Sequence, residues 1–213
     1  MILSCSARPT AISVGDVDEI EALDVSPVDG RVDVSLTHPV DLPTERILTS
    51  GCGGGITFRI DHRLFPRLHS RLQVSASQLA ARMRDLFASA VLYKASRGIH
   101  GAALADAEGL LLTAEDVGRH NAVDKIKGEA LLRDIPTVDR ILLSTGRVSS
   151  EMLLKAARMG VPIVASRTSP TEMAVGLAEQ LNITVCGYVR PDGLNLYAGD
   201  GVVLGVESTI RAD

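Results

Sequence analysis

Apolar runs alternate with amphipathic stretches through the second half of the chain, and this alternation constrains the fold more than any other feature. Short apolar runs at 140–144, 162–165 and 183–188 are typical of buried strands. The segments between them space their apolar residues as helices do. Because strands joined through a helix usually pair in parallel, these segments predict parallel crossovers.

Further strands are predicted outside this region. The runs at 99–105 and 110–113 are separated by the turn-forming residues 106–109, which predicts an antiparallel pair. Strands are also predicted at 32–36 and 194–197. Together these segments predict an α/β protein with a mixed sheet.

The helices are predicted from their apolar spacing and their capping residues. The first covers 78–95, with Ser75 or Ser77 as its cap. The second has Arg119 and His120 in its first turn, and its apolar face is formed by Ala122, Val123, Ile126, Ala130 and Leu131. Two later helices are also predicted from their caps. Ser149 is expected to cap the first of them. Ser169 and Glu172 are expected to form a capping box for the second, with Pro170 at its first helical position.

The densest polar stretch is 115–125, with the sequence EDVGRHNAVDK. It leads into the second helix, whose first turn has unpaired backbone N–H groups that favour an anion. We expect its early polar residues to anchor an anionic ligand or a neighbouring loop: Asp116, Arg119, His120 and Asn121. Asp124 and Lys125, deeper in the helix, are expected to be mainly structural.

Three arginines occupy equivalent places in the predicted topology. Arg119, Arg147 and Arg167 each lie in a turn between a strand and a helix. Such turns cluster at the carboxyl edge of an open α/β sheet, where ligands bind. Because arginine recognises phosphate with two parallel hydrogen bonds, this pattern indicates a ligand that carries phosphate.

Composition and charge exclude several classes of protein. The net charge of -4 argues against a general nucleic-acid binder. No stretch resembles a membrane span or a signal peptide, so we expect a cytoplasmic protein. The three cysteines are far apart, which fits neither a disulfide framework nor zinc-ligand spacing, and no metal site is predicted.

Cys52 is the cysteine best placed for chemistry. It is flanked by Gly51 and by glycines at 53–55, which leave the backbone free and the sulfur unshielded. A free thiol is only a few per cent ionised near neutral pH, so nearby cations would have to activate it. Cys5 reads as a tail residue and Cys186 as a small buried hydrophobe.

These motifs together resemble the formate dehydrogenase accessory sulfurtransferase family, FdhD. The stretch 115–125 matches that family's signature nearly residue for residue. Further matches are residues 98–100, 144–147 with 151–152, and 187–191 followed by 194–197. The similarity runs from about residue 44 almost to the end of the chain.

The resemblance implies a cytidine-deaminase-like fold, a three-layer mixed sheet with helices, without zinc chemistry. It implies a sulfur carrier that takes sulfur from a cysteine desulfurase and passes it to the bis-guanine-dinucleotide molybdenum cofactor before insertion into formate dehydrogenase. Cys52 stands where the family carries its persulfide. The resemblance places the guanine dinucleotide against residues 188–193, namely Tyr188, Val189, Arg190, Pro191, Asp192 and Gly193. The cofactor is then a ligand or substrate and not permanently bound, and the family suggests a homodimer.

Two departures from the family pattern affect these expectations. Many members have C-x-x-C in the loop, whereas this chain has Gly55 there, so a single-thiol persulfide relay is expected. Members also usually begin with a longer, strand-rich region, so we expect a truncated start. We divide the chain into an N-terminal portion, 1–72, which contains Cys52, and a deaminase-like domain, 73–213.

Two alternatives remain open on the sequence alone. The first is a non-catalytic chaperone that binds the molybdenum cofactor while Cys52 is incidental. The second is a nucleotide-modifying hydrolase, for which the usual zinc ligands are missing. The sequence also does not decide whether a carrier of this kind counts as an enzyme.

Overall fold

The computed structural model describes residues 17–26, 28, 31–39, 46–48, 56–58, 65–199 and 203–204. Residue contacts divide the chain into two compact units. The first comprises residues 1–61 with 131–134, and the second comprises residues 62–130 with 135–213.

The first unit contains two pairs of antiparallel strands. A 3-10 turn, Val17–Glu19, leads into β1 (Ile20–Ser26), which pairs with β2 (Arg31–Leu36). β3 (Arg46–Leu48) pairs with β4 (Ile56–Phe58). The strand predicted at 32–36 is thus confirmed. Cys52 lies outside the described residues, as does Cys5.

The second unit contains the remaining elements. Its helices are α1 (Ala76–Ser89), α2 (Val91–Ser96), α3 (Arg119–Leu132, except for its last two residues, which are counted with the first unit), α4 (Ser150–Arg158) and α5 (Glu172–Leu181). Its strands are β5 (Val74–Ser75), β6 (His100–Ala105), β7 (Leu110–Asp116), β8 (Ile141–Ser144), β9 (Ile163–Ser166), β10 (Thr184–Arg190), β11 (Gly193–Ala198) and β12 (Val203–Leu204).

Six of these strands form one mixed sheet in the order β11-β10-β9-β8-β6-β7. β8, β9 and β10 are parallel, while β6 is antiparallel to both β7 and β8, and β11 is antiparallel to β10. The predicted mixture of parallel crossovers and antiparallel pairs is therefore confirmed. The likeness to cytidine deaminases stays a prediction.

The core lies between α1 and one face of this sheet. Leu79, Met83 and Leu86 of α1 are buried against alternate residues of the strands, among them Leu143. Cys186 is completely buried in the same cluster. Its predicted role as a small hydrophobe is confirmed, and burial raises the pKa of its thiol to about 12. The alternate strand residues are buried on the opposite face, where α4 packs against α5 and α5 contacts β10 and β11.

The helix predicted over 78–95 is interrupted. Its start is as expected: Ser75 and Gln78 form a capping box, with the Ser75 hydroxyl accepting from the Gln78 N–H at 3.1 Å. At Ala90, however, the backbone is extended, and α2 begins at the next residue. Apolar spacing continues across Ala90, so periodicity alone cannot locate this break.

Two of the predicted helix caps differ from those in the structure. α5 is capped by Thr171, whose hydroxyl accepts from the Ala174 N–H at 3.3 Å. The expected pair, Ser169 with Glu172, does not form a capping box because Pro170 bridges to Val148 and delays the helix start. Ser149 holds the N-cap position of α4 without a capping hydrogen bond.

Across the described residues, no helix is both long and apolar enough to cross a membrane.

We expect Leu143→Ala to lower the free energy of unfolding by about 2–5 kcal/mol, because it empties a buried position in the core. Leu92→Ala is the matched control, since the Leu92 side chain is half exposed, and it should lower the free energy by roughly 1 kcal/mol or less. Urea unfolding followed by circular dichroism measures both. Equal losses of unfolding free energy for the two variants would show that Leu143 does not lie in the hydrophobic core.

Candidate functional site

The turns that carry the predicted ligand residues meet at one edge of the six-stranded sheet. β8, β9 and β10 end there, and so does β7, because two antiparallel pairings give it the same direction as β8. β6 begins there, with His100 paired opposite Asp116. We call this side of the sheet the carboxyl edge. The topology thus brings Arg119, His120, Arg147, Arg167 and Tyr188 to one side.

Buried serines at the ends of β8 and β9 fix the turns of the carboxyl edge. Ser144 is 1% exposed, and its hydroxyl accepts from the Gly146 N–H at 3.1 Å. Ser166 is fully buried, and its hydroxyl donates to the Gly146 carbonyl at 2.7 Å and accepts from the Thr168 N–H at 3.1 Å. Both turns are therefore held by hydrogen bonds that water cannot easily reach.

Gly146 allows a histidine and an arginine to approach the β8–α4 turn closely. A Cβ atom at this position would lie 3.0 Å from His100 Nδ1 and 3.0 Å from Arg119 Cβ. A larger residue would have to push these side chains away. Burial, followed by the charge of Arg119, lowers the pKa of His100.

A cleft of about 570 Å³ opens beside His100. We call it the α2 cleft, and it is lined by Phe87, Tyr93, Arg97, Gly98, Ile99, His100, Thr145, Arg167 and Thr168. The Phe87 and Tyr93 rings meet edge to face, with centroids 5.8 Å apart. The guanidinium carbon of Arg97 lies 5.9 Å from the Tyr93 ring centroid. The cleft thus joins an aromatic wall to cationic groups.

Sequence reasoning did not find the α2 cleft. It predicted one continuous helix over 78–95 and gave no role to Tyr93 or Arg97. Arg97 follows α2 with a left-handed backbone, which the helical pattern did not predict.

His120 is held as a neutral imidazole. Its Nε2 lies 3.5 Å from Ser149 Oγ and 3.5 Å from Glu151 Oε2, while its buried Nδ1 has no partner among the described residues. Burial, then the charges of Lys155, Arg119 and His100, lower the pKa of His120 to about 4. An anion bound next to His120 would favour the charged imidazolium and raise the pKa of His120.

Two arginines at the carboxyl edge also have buried nitrogens with no partner in the described part of the chain. They are Arg119 Nε and Arg167 Nη1. A further such nitrogen, Arg140 Nε, belongs to the residue before β8, at the opposite edge. Because an unsatisfied buried donor is costly, the donors at the carboxyl edge suit an anionic ligand.

The acidic residue Asp116 is structural. Its Oδ1 accepts from the Gly118 N–H at 2.8 Å and from Asn121 Nδ2 at 3.1 Å, and its Oδ2 lies 2.6 Å from Lys125 Nζ. Burial acts to raise the pKa of Asp116, but the hydrogen bonds from Lys125, Gly118 and Asn121 outweigh it and lower the pKa. These contacts fix the start of α3, which carries Arg119 and His120.

The remaining polar residues of the stretch 115–125 also have protein partners. The Glu115 carboxylate accepts hydrogen bonds from three backbone N–H groups of α2. Lys125 Nζ donates to the Glu115 carbonyl at 2.9 Å, and Asp124 pairs with Lys155. Within this stretch, Arg119 and His120 are the residues with unpartnered buried nitrogens.

The segment 188–193 forms the end of β10 and the turn into β11. Tyr188 has a left-handed backbone, with φ at 49°, and its N–H donates to the Thr168 carbonyl at 3.1 Å, beside the α2 cleft. Val189 is buried in the core, while the four residues after it are exposed: Arg190, Pro191, Asp192 and Gly193. Arg147 is also exposed and does not line the cleft.

We expect the protein to lose stability as pH falls from 6.5 towards 4, because the unfolded His120 takes up a proton while the folded one resists it. The loss from this residue is at most about 3 kcal/mol and is complete below the folded-state pKa. Urea unfolding at several pH values should show a smaller loss for His120→Gln. An equal loss in the variant would mean that His120 is not the group responsible.

Comparisons with known proteins identify the family of the chain. The model of the FdhD/NarQ family matches residues 10–203. The sulfur carrier protein FdhD of Bacillus pumilus is 40% identical over 186 residues, covering 84% of this chain and 71% of the relative. The protein of the same name from Bacillus subtilis is 40% identical over 185 residues, with the same coverage of both chains.

The fold also has a solved relative. It is similar to the crystal structure of a candidate formate dehydrogenase accessory protein from Desulfotalea psychrophila, with a TM-score of 0.72 and 29% identity. The match covers 90% of this chain and 74% of that chain. The family expected from the sequence motifs is thus confirmed: the chain belongs to the FdhD/NarQ family.

Proposed function

We propose that this protein is a sulfur carrier in which Cys52 holds a persulfide on the way to the molybdenum cofactor of formate dehydrogenase. The observation that carries the choice of thiol concerns Cys186. It is completely buried, and burial raises its pKa to about 12, so it is neither reachable nor ionised. Of the other two cysteines, Cys5 and Cys52, only Cys52 is surrounded by glycine.

In the loading step, the Cys52 thiolate attacks the outer sulfur of a persulfide on a cysteine desulfurase. The sulfur–sulfur bond of the donor breaks, and the donor cysteine leaves as a thiolate. Cys52 then carries the outer sulfur as its own persulfide. No external oxidant or reductant is required, because one sulfur–sulfur bond replaces another.

In the delivery step, the outer sulfur passes to a reduced molybdenum centre. The centre supplies two electrons, which break the sulfur–sulfur bond and convert the transferred sulfur into a sulfido ligand. The proton of the persulfide moves to the Cys52 sulfur and regenerates the thiol. This single-thiol route needs no second cysteine in the loop, in keeping with Gly55.

The carboxyl edge is proposed to hold the bis-guanine-dinucleotide part of the cofactor, which is a substrate here. Arg119 Nε and Arg167 Nη1 are buried donors that still lack an acceptor, and phosphate oxygens would supply one. The buried His120 Nδ1 also lacks a partner among the described residues, and it would donate once a bound anion favours the protonated imidazole. The exposed turn at 190–193 offers a surface for the guanine, and Arg147 adds a positive charge.

The proposed partners follow from this role. A cysteine desulfurase would provide the sulfur, and formate dehydrogenase would receive the finished cofactor. We propose that the carrier acts in the cytoplasm as a homodimer. The relatives named as sulfur carrier proteins and the solved relative described as a formate dehydrogenase accessory protein support the carrier role and the link to formate dehydrogenase.

We expect Cys52→Ser to abolish persulfide formation, because a hydroxyl cannot take up sulfane sulfur. Incubation with a cysteine desulfurase and cysteine, followed by mass spectrometry, should add one sulfur to the unchanged protein and none to the variant. Cys186→Ser is the matched control for the site of loading and should still carry sulfur.

Two outcomes would contradict the proposal. Sulfur on the Cys52→Ser variant would assign the carrier role to another residue. Full formate dehydrogenase activity in cells that contain only this variant would favour a chaperone that binds and delivers the cofactor without carrying sulfur.

We expect Arg167→Gln to weaken binding of guanosine diphosphate by about tenfold or more, because a charged hydrogen bond to phosphate is lost. Arg84→Gln, on an exposed position of α1, is the matched control and should leave the affinity unchanged. Isothermal titration calorimetry measures both. Equal affinities of the unchanged protein and Arg167→Gln would show that the phosphates do not bind at the carboxyl edge.

A further inference from the structure

The short helix α2 forms part of the wall of the α2 cleft but contributes nothing to the core. None of its six residues is buried, and Val91 and Leu92 are 71% and 51% exposed. Isolated helices of this length are not stable in water. Hydrophobic packing therefore does not explain why α2 is formed.

The start of α2 also has no local cap. Its N-cap residue is Ala90, which has no side-chain oxygen to accept from the first N–H groups. Those groups donate to Glu115 on β7: Val91 and Leu92 to Oε2 at 2.9 Å each, and Tyr93 to Oε1 at 2.8 Å. One carboxylate from a distant strand thus caps the whole first turn, in the orientation that the helix dipole favours.

Glu115 is itself held firmly. Its backbone pairs with Gly101 in the sheet, and its carbonyl accepts from Lys125 at 2.9 Å. Lys125 also pairs with Asp116, which fixes the start of α3 beside Arg119. The anchor of α2 is therefore built into the same polar stretch that positions the basic residues of the carboxyl edge.

We infer that Glu115 is a positioning residue for the α2 cleft: its carboxylate holds α2 in place, so that Tyr93 and Arg97 form a wall ready to receive a ligand. Glu115 does not line the cleft itself. Its effect on affinity comes from the fraction of molecules in which the wall is formed. Apparent affinity falls in proportion to that fraction.

The inference rests on the proposed function only for the ligand used to probe it, guanosine diphosphate. Glu115→Ala should speed hydrogen exchange at the amides of residues 91–93 by about tenfold or more, because their acceptor is gone. Exchange in β8 should stay unchanged, which distinguishes local opening from general destabilisation. Affinity for guanosine diphosphate should fall about tenfold, in line with the smaller fraction of formed wall.

A second-site change separates positioning from any direct effect of the lost charge. Ala90 already has the extended backbone of an N-cap, so Ala90→Ser supplies a local hydroxyl cap. In the Glu115→Ala background it should restore most of the protection and most of the affinity. Glu179→Ala removes an exposed carboxylate from α5 and should change neither measurement.

Three results would count against these assignments. Unchanged protection of residues 91–93 in Glu115→Ala would overturn the inference. Lost protection with unchanged affinity would overturn its link to the ligand. Failure of the unchanged protein to bind guanosine diphosphate would contradict the proposed function instead, and the exchange rates, which need no ligand, would still decide whether Glu115 holds α2.

Discussion

The parallel pairing of β8, β9 and β10 is the constraint from which the rest of the site follows. Strands that run in the same direction must return through crossovers, so the turns before α4 and α5 open at the same edge. The antiparallel insertion of β6 brings His100 to that edge as well. Buried hydroxyls of Ser144 and Ser166 then fix the turns, while Arg119 Nε and Arg167 Nη1 keep no partner among the described residues.

The dense polar stretch at 115–125 divides into two groups with different tasks. Asp116, Lys125 and the Glu115 carboxylate are engaged with the protein itself. Arg119 and His120 keep buried nitrogens without an acceptor among the described residues. The hydrogen bonds of the first group hold the local backbone in place. The unpartnered nitrogens of the second group could still bind an anion. A single short stretch thus both matches the family and determines how α3 and its basic residues are placed at the carboxyl edge.

The six strands of the mixed sheet were predictable because each contains a short apolar run, and every run from 99 to 197 that the sequence indicates as a strand forms one. The short strands β3, β4, β5 and β12, together with β1, carry no such signal and were not predicted. The Ser75 cap was predictable because its partner is three residues away. The break at Ala90 was not, because the residue that caps the helix after it, Glu115, lies on a strand more than twenty residues further along the chain. The α2 cleft was missed because the sheet brings Thr145, Arg167 and Thr168 to a local cluster at 87–100 that had been predicted partly as one continuous helix.

The candidate site was only partly readable from the sequence. The three arginines were found through their equivalent places in the topology, yet exposure separates Arg147 from Arg119 and Arg167, whose buried nitrogens lack partners. Val189 was included with its neighbours, but strand alternation turns its side chain into the core. Cys52 rests on sequence and family alone, because it lies outside the described residues.

The absence of any buried side chain in α2 has a consequence for how such proteins diversify. Substitutions on exposed positions usually change folding stability by less than about 0.5 kcal/mol. As long as Glu115 and the first-turn backbone remain, residues such as Leu92 and Lys94 are free to change in size or charge. The part of the α2 surface that does not line the cleft can thus change in chemical character while the sheet and the cleft lining stay the same.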